Sequence, residues 1–131
     1  TTSTIQFVQW KQDASNVIRH RLDTNGGTGE LQFDQEVGGT YDNVATGVNY
    51  FTPGVNVPFN IAGRHTSGAI NGAEAGTSLT ENSTPTSLVD VSAEDFELVP
   101  LGGPVNLDLL RIWPSDLTDT GIEEASNWSR A

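Results

Sequence analysis

The side chains best suited to acid–base chemistry near neutral pH are two histidines, His20 and His65. His20 stands between two arginines in a strand-like stretch, where nearby positive charge favours the neutral form of its ring. A Ser/His/Asp triad would therefore have to use His65, which follows Arg64. The chain has no cysteine, which excludes thiol nucleophiles, thiolate metal ligands and disulfides. Because no catalytic motif assembles from these residue types, we predict that the protein is not an enzyme.

Carboxylates offer a second kind of chemistry, the binding of calcium. The stretch from Asp23 to Glu30 clusters oxygen ligands, Asp23 and Asn25 among them. It does not match an EF-hand loop, because Gly27 stands where a ligand belongs and Thr28 replaces the required glycine. A glycine-rich hairpin turn explains the same residues. We therefore predict no cofactor, with calcium near Asp23 and Asn25 as the alternative.

Two further functions stay open at this level. Paired Asp or Glu side chains can hydrolyse a glycoside, but the separation of two carboxylates is a property of the fold. A carbohydrate-binding or adhesin module needs exposed aromatic rings, for which the candidates are Trp10, Tyr41, Tyr50 and Trp128. Strands of alternating polarity commonly bury such rings, so the exposure of these four tests the binding-module alternative.

The composition is strongly acidic. Seventeen Asp and Glu face six Lys and Arg, which gives a net charge of −11 and a pI near 4.2. This balance disfavours nucleic-acid binding, which needs clustered cations for the phosphates. An acid excess with a single lysine is typical of proteins exposed to high salt, where ions screen the self-repulsion. An ordinary acidic domain has the same composition, and both interpretations stay open.

The charge is also uneven along the chain. Residues 1–73 hold six acids and four bases, whereas residues 74–131 hold eleven acids and two bases, so the net charges are −2 and −9. A nearly neutral half beside an acidic half indicates that one part faces solvent and another faces a protein partner. The partner that we predict is a larger assembly, formed as a homo-oligomer or a shell.

Hydropathy predicts a single domain over residues 1–131 with no membrane span. No run of about 18 apolar residues occurs, and the first residues lack the basic and apolar regions of a signal peptide. Glycine, proline, asparagine and aspartate separate seven to eight short β-prone stretches. This pattern predicts an all-β fold, an antiparallel sandwich or barrel of the jelly-roll kind.

The most apolar stretch, residues 96–113, predicts a β-hairpin. Apolar and polar residues alternate from Val105 to Leu109, and residues 102–104 have the sequence of a turn, Gly-Gly-Pro. After Leu109 the apolar phase changes face, which indicates a bulge or burial on both faces. The residues predicted to form the core of this hairpin are Phe96, Leu98, Val105, Leu107, Leu109 and Ile112.

Residues 63–87 have the composition of one long polar loop. Small and polar residues dominate it, and Ile70 and Leu79 are its only large aliphatic residues. A loop of this length needs neighbours to hold it in place. We therefore predict an interface loop, with Arg64, His65, Ile70 and Leu79 as candidate contacts. Residues 115–131 predict a weakly helical tail with a short C-terminal helix.

These features lead to one hypothesis about function. We predict a non-enzymatic structural protein that works by assembling, as an accessory or decoration subunit of a virus-like capsid or a comparable surface lattice. Its location would then be a virion or an extracellular surface. The grounds are the missing catalytic motifs, the charge asymmetry and the long polar loop. The alternative is the carbohydrate-binding or adhesin module.

Overall fold

The computed structural model describes residues 4–50, 60–101 and 107–127, and within them the chain forms eight β-strands and one α-helix. The strands make two antiparallel sheets in a sandwich-like arrangement, which confirms the predicted all-β class. The elements are β1 (Thr4–Asp13), β2 (Asn16–Asp23), β3 (Glu30–Val37), β4 (Thr40–Ala45), β5 (Ile61–His65), β6 (Ile70–Glu74), β7 (Thr77–Ser78), β8 (Phe96–Leu101) and α1 (Thr118–Ser126).

Five strands form the larger sheet, in the order β4-β3-β2-β1-β8. Strands β2 and β3 pair without irregularity, which places His20 opposite Phe33 and Arg19 opposite Asp34. Residues directly opposite each other share a face, and successive residues alternate between faces. His20 and Phe33 therefore mark one face of this sheet, and Arg19 and Asp34 mark the other.

The smaller sheet, β5-β6-β7, packs against the face that carries Phe33. A Cβ added at Gly72 would overlap the Phe33 ring, and one added at Gly63 would overlap the rings of Phe33 and His20. Glycine at these two positions lets the fully buried Phe33 lie directly on the strand backbones. The buried apolar side chains between the two sheets include Leu31, Phe33, Val44 and Ile70.

Helix α1 covers the opposite face of the smaller sheet. Ala62 of β5 and Ala73 of β6 form a buried cluster with Ile122 of α1, and Ala125 packs against it. Asp119 lies in the first turn of the helix, where a carboxylate interacts favourably with the free N–H groups. The fold thus has three layers, the larger sheet, the smaller sheet and the helix.

The predicted long polar loop at residues 63–87 is wrong in its boundaries. Strands β6 and β7 lie inside it, and β5 ends within it. Small residues such as Gly63, Gly72 and Ala73 stand where strands usually carry β-branched or aromatic side chains. The sequence therefore lacks the alternation of large apolar and polar residues by which a strand is predicted. The longest described stretch between strands is instead residues 79–95, between β7 and β8.

The predicted hairpin at residues 96–113 is wrong in its second half. Residues 107–113 form no strand, and β8 pairs with β1 instead. The side chains of Leu107, Leu109 and Ile112 are exposed rather than part of a core, and so is that of Leu98. Alternation predicts that a stretch can pair, but it does not decide whether it folds back on the preceding strand, and in the described residues β8 is paired on one side only, with β1.

Phe96 is partly buried and packs across the ladder with β1 rather than within a hairpin, since its ring lies edge-to-face on Trp10 with centroids 4.8 Å apart. Val105 and Trp128, which the sequence also singled out, lie outside the described residues. In the described part of the chain, no helix has the length and apolar character needed to cross a membrane.

Candidate interaction surface

The clearest surface feature is a run of large apolar side chains at residues 107–113, which we call the apolar segment. Its exposed members are Leu107, Leu109, Leu110, Ile112 and Trp113. Leu107 is 54 % exposed and Ile112 is 55 % exposed. Single exposed apolar residues are normal, whereas a contiguous group marks an interaction site. The sequence pattern predicts a core here, although the change of apolar face at Leu109 does not fit a strand with one buried face.

A second feature is the free edge of β8. Strand β8 is the last strand of the larger sheet, and within the described residues it pairs only with β1. A sheet edge of this kind presents backbone donors and acceptors to which another strand can bind. The ladder between β1 and β8 is irregular near Val99, whose φ is 48°, so the regular part of the edge is Phe96 to Leu98.

The apolar segment ends against the helix. Arg111 and Trp113 line an open groove of about 330 Å³ together with α1. The remaining lining residues are Leu117, Gly121, Glu124 and Ala125. Helix α1 packs on β5, β6 and β7, and Asp116, which follows the apolar segment, is bound to Arg64 of β5 at 2.8 Å.

The predicted interface residue Arg64 binds within its own chain. Its guanidinium forms ion pairs with Glu81, with Asp116 at 2.8 Å and with Asp119 at 3.0 Å. Burial works against the charge of Arg64, but the three carboxylates outweigh it and raise the pKa of Arg64. Asn71 donates a further hydrogen bond to Asp119 at 2.9 Å. This cluster attaches the start of α1 to the smaller sheet, which is a structural role.

The predicted interface residue His65 also faces inward, where it meets His20. The two Nε2 atoms lie 3.1 Å apart, and His65 Nδ1 lies 3.4 Å from Gln35 Oε1. The Gln35 amide nitrogen donates to Ser87 O at 2.6 Å, so Oε1 is the atom that faces His65. We therefore assign a proton to His65 Nδ1, which donates to Gln35 Oε1. His65 Nε2 is then an acceptor, and the proton between the two rings belongs to His20 Nε2.

Burial disfavours the charged form of both rings. It lowers the pKa of His20 to about 4. Burial and then the neighbouring His20 lower the pKa of His65 well below its ordinary value. The pair is therefore neutral at physiological pH and joins β2 of the larger sheet to β5 of the smaller sheet.

The other two predicted interface residues are not available to a partner as a loop. Ile70 is completely buried between the sheets, and Leu79 is partly buried, with its backbone N–H donating to Gly72 O at 2.8 Å. The prediction of a free interface loop is therefore wrong, because Ile70 is inaccessible and the contacts described for Arg64, His65 and Leu79 lie within the chain. The small side chains that the sequence suggested were loop residues instead allow the two sheets to approach closely.

A buried carboxylate lies on the other face of the larger sheet. Asp34 is completely buried, and Arg19 Nε and Arg21 Nε lie 2.7 and 2.8 Å from its two oxygens. Burial is the largest influence and raises the pKa of Asp34, although both arginines oppose it. Arg21 also donates to the Tyr41 hydroxyl at 2.8 Å. The sequence placed both arginines on one face of β2 but contained no signal for their shared partner.

Asp23 and Asn25, the residues of the calcium alternative, lie together in a local turn. Asp23 Oδ1 accepts the backbone N–H of Asn25 at 2.8 Å, which closes a local turn of the type that Asp commonly makes. The following Gly26 has a φ of 85°, as a glycine-rich hairpin requires. Among residues 4–50, 60–101 and 107–127, no three His, Cys, Asp or Glu side chains form a group that can hold a metal ion.

Comparison of the chain with protein-family models, with curated proteins and with solved structures finds no match. Function is therefore inferred from the geometry of the described residues.

Proposed function

We propose that this protein is a non-enzymatic structural subunit that works by assembling with protein partners. The exposure of the apolar segment carries the proposal. Its apolar side chains occur on both alternating sets, Leu107 and Leu109 on one and Leu110 and Ile112 on the other. A strand that is buried on both faces has this composition, so the segment suits a partner that covers both of its sides.

The assembly that we propose is a virus-like capsid or a comparable surface lattice, in which this chain is an accessory or decoration subunit. Repeated contacts in such a lattice cover the same segment in every copy, and a virion or extracellular surface is the corresponding location. Residues 63–87 no longer support this proposal, because they fold onto their own chain. The apolar segment and the free edge of β8 take their place as its grounds.

Sedimentation velocity and electron microscopy of the purified chain test this proposal. We expect ordered assemblies at high protein concentration in about 1 M salt, where the repulsion between acidic copies is screened. The variant Leu109→Ser/Ile112→Ser should stay monomeric with an unchanged melting temperature, since both side chains are exposed. A wild-type chain that is monomeric under every condition would contradict the proposal.

A second candidate function is the carbohydrate-binding module. Tyr41 is 45 % exposed and Tyr50 is 43 % exposed, as such a module requires. Tyr41 stands opposite Glu36 near the end of β3, whereas the Tyr50 N–H binds Gly29 O, just before β3 begins. At about 3.4 Å per residue, these points lie roughly 20 Å apart, too far for one sugar to contact both rings. A glycan array with Tyr41→Ala and Tyr50→Ala as controls would test each ring separately.

A further inference from the structure

We propose that the apolar segment of one copy binds as an antiparallel β-strand to the free edge of β8 in a second copy. The inference rests on the proposed function, because it names the partner and the contact through which assembly occurs. Strand addition to an open edge satisfies backbone groups of both partners, and the side-chain pattern selects the register. One register suits both sets of side chains. It places Ile112 opposite Phe96, Arg111 opposite Glu97 and Leu110 opposite Leu98.

The first support for this register is the continuity of the apolar face. Phe96 stands opposite Trp10 and Leu98 stands opposite Val8 in the ladder between β8 and β1. Opposite residues share a face, so Ile112 and Leu110 of the added strand would extend this apolar face by one strand. Leu98 and Leu110, both exposed in the single chain, would cover each other.

The second support is charge complementarity on the other face. Glu97 is exposed and accepts a hydrogen bond from Gln9 Nε2 at 2.6 Å, which leaves acceptor capacity on its carboxylate. Arg111 is exposed, and it forms no ion pair with a carboxylate of the described residues. The chain has a net charge of −11, so an exposed arginine within the apolar segment favours the register that places it opposite a carboxylate. The pair Arg111–Glu97 supplies opposite charges at directly facing positions.

The third support concerns which copy supplies the strand. A hairpin closed within one chain would use the same register, but β8 of the structure carries no such partner in its described residues. Arg111 and Trp113 are exposed and line an open groove beside α1 rather than β8 of their own chain. Asp116, a few residues further on, is bound to Arg64 of β5. With its C-terminal end held at the smaller sheet, the apolar segment is presented outward to another molecule.

The irregularity at Val99 sets the extent of the pairing. Its positive φ of 48° interrupts the regular edge, and Pro100 has no N–H to donate. The pairing therefore centres on residues 96–98, where the three facing pairs lie. A short ladder of this kind gives a weak contact in one pair of molecules, which becomes effective when many copies repeat it in a lattice.

Single cysteines test the proposal directly, since the natural chain has none. Glu97→Cys and Arg111→Cys proteins are mixed in equal amounts in about 1 M sodium chloride and oxidised slowly. Facing positions in an antiparallel pair have the Cα spacing that a disulfide needs. Random pairing would give as much mixed disulfide as the two homodimers together, so we expect the mixed disulfide, which joins one variant to the other, to exceed the sum of the two homodimers. The matched control replaces Arg111→Cys by Asp108→Cys, which the proposed register places away from Glu97 and on the other face.

The outcomes separate the two proposals. Equal amounts of mixed and homodimeric products, or an intrachain disulfide in the Glu97→Cys/Arg111→Cys double variant, would overturn strand addition between copies. The proposed function would survive that result if the wild-type chain still assembles in sedimentation. A chain that never associates would overturn both.

Charge reversal gives an independent test without oxidation. Glu97→Arg and Arg111→Glu each place like charges opposite each other, so each variant alone should associate at least about tenfold more weakly than wild type. Mixing the two variants brings the new arginine of one copy opposite the new glutamate of the other and should restore association. Failure of the mixture to recover, with both variants folded, would show that these residues do not meet.

Discussion

The Nε2 atoms of His20 and His65 lie 3.1 Å apart and link the larger sheet to the smaller one. The pair can share one proton as a neutral contact, but it cannot keep that hydrogen bond when both rings are charged. Since burial lowers both pKa values, the folded chain resists protonation at a pH where the unfolded chain accepts it.

The first prediction is a loss of stability in mild acid. The unfolded histidines bind protons near pH 6.5, while His20 in the folded chain binds one only near pH 4. The contribution of the neutral histidine pair to the free energy of unfolding is therefore complete above pH 6.5, and it declines as the pH falls toward 4. For two rings, we expect the free energy of unfolding to drop by about 3 kcal/mol between about pH 7 and pH 5. Urea unfolding across this pH range measures it.

The control for this prediction is His65→Gln, which leaves one titrating ring and should show about half the pH dependence. Hydrogen bonds from Ser15 and Asn16 lower the pKa of the Asp13 carboxyl. At Asp116 burial acts in the opposite direction, but the hydrogen bonds from Thr118 and Arg64 outweigh it and lower the pKa. Protonation of these two carboxyls therefore acts at lower pH. A wild-type stability that is constant across the range would contradict the prediction.

The second prediction concerns the contact between the sheets at Gly72. An alanine Cβ at this position would overlap the Phe33 ring, so Gly72→Ala should lower the free energy of unfolding by about 2–3 kcal/mol. Gly68→Ala is the matched control, because nothing lies within 4 Å of its added Cβ. Thermal unfolding compares the two. Adding Phe33→Leu to Gly72→Ala should recover part of the loss, and an unaffected Gly72→Ala protein would mean that the sheets are further apart.

The third prediction concerns the turn between β6 and β7. Ala75 and Gly76 have φ values of 48° and 84°, the conformation in which Asn-Gly is favoured and alanine is strained. Ala75 is exposed, and its N–H donates to Asn60 O, which asparagine retains. Ala75→Asn should therefore raise the free energy of unfolding by about 0.5–1 kcal/mol. Ala14→Asn, at an exposed turn position without a positive φ, should produce no such gain in urea unfolding.

The fourth prediction concerns salt. Residues 74–131 carry a net charge of −9, and the single positive charge of Arg64 is shared by the three carboxylates of Glu81, Asp116 and Asp119. Raising the ionic strength from about 0.01 M to about 1 M shortens the Debye length from about 30 Å to about 3 Å. The melting temperature should therefore rise with sodium chloride, as expected of a chain adapted to high salt.

Substitutions identify which acids cause the salt effect. Glu94→Gln/Asp95→Asn should flatten the dependence, because both residues lie in the acidic half outside the Arg64 cluster. Glu81→Gln, which removes a carboxylate paired with Arg64, should flatten it less. A melting temperature that stays constant or falls with salt would mean that the acids do not repel one another strongly.

Period-2 alternation was sufficient to predict the all-β class and most of the larger sheet. Leu31, Phe33 and Val37 alternate with polar residues in β3, and a glycine-rich turn precedes it. These signals are local, because alternation and turn chemistry depend only on residues close in the chain. The acidic composition, likewise a property of the chain itself, sets the expected response to salt.

Only the tertiary structure decided which residues meet across the sheets. Gly63 and Gly72 have the composition of a loop, yet they form strands because the Phe33 ring occupies the space that a side chain would need. His20 and His65 are 45 positions apart, and nothing local indicates that they touch. The apolar segment likewise shows what a local pattern does not determine. Its pattern predicts that it pairs as a strand, but pairing requires a free edge, and the order of strands in space determines where that edge lies.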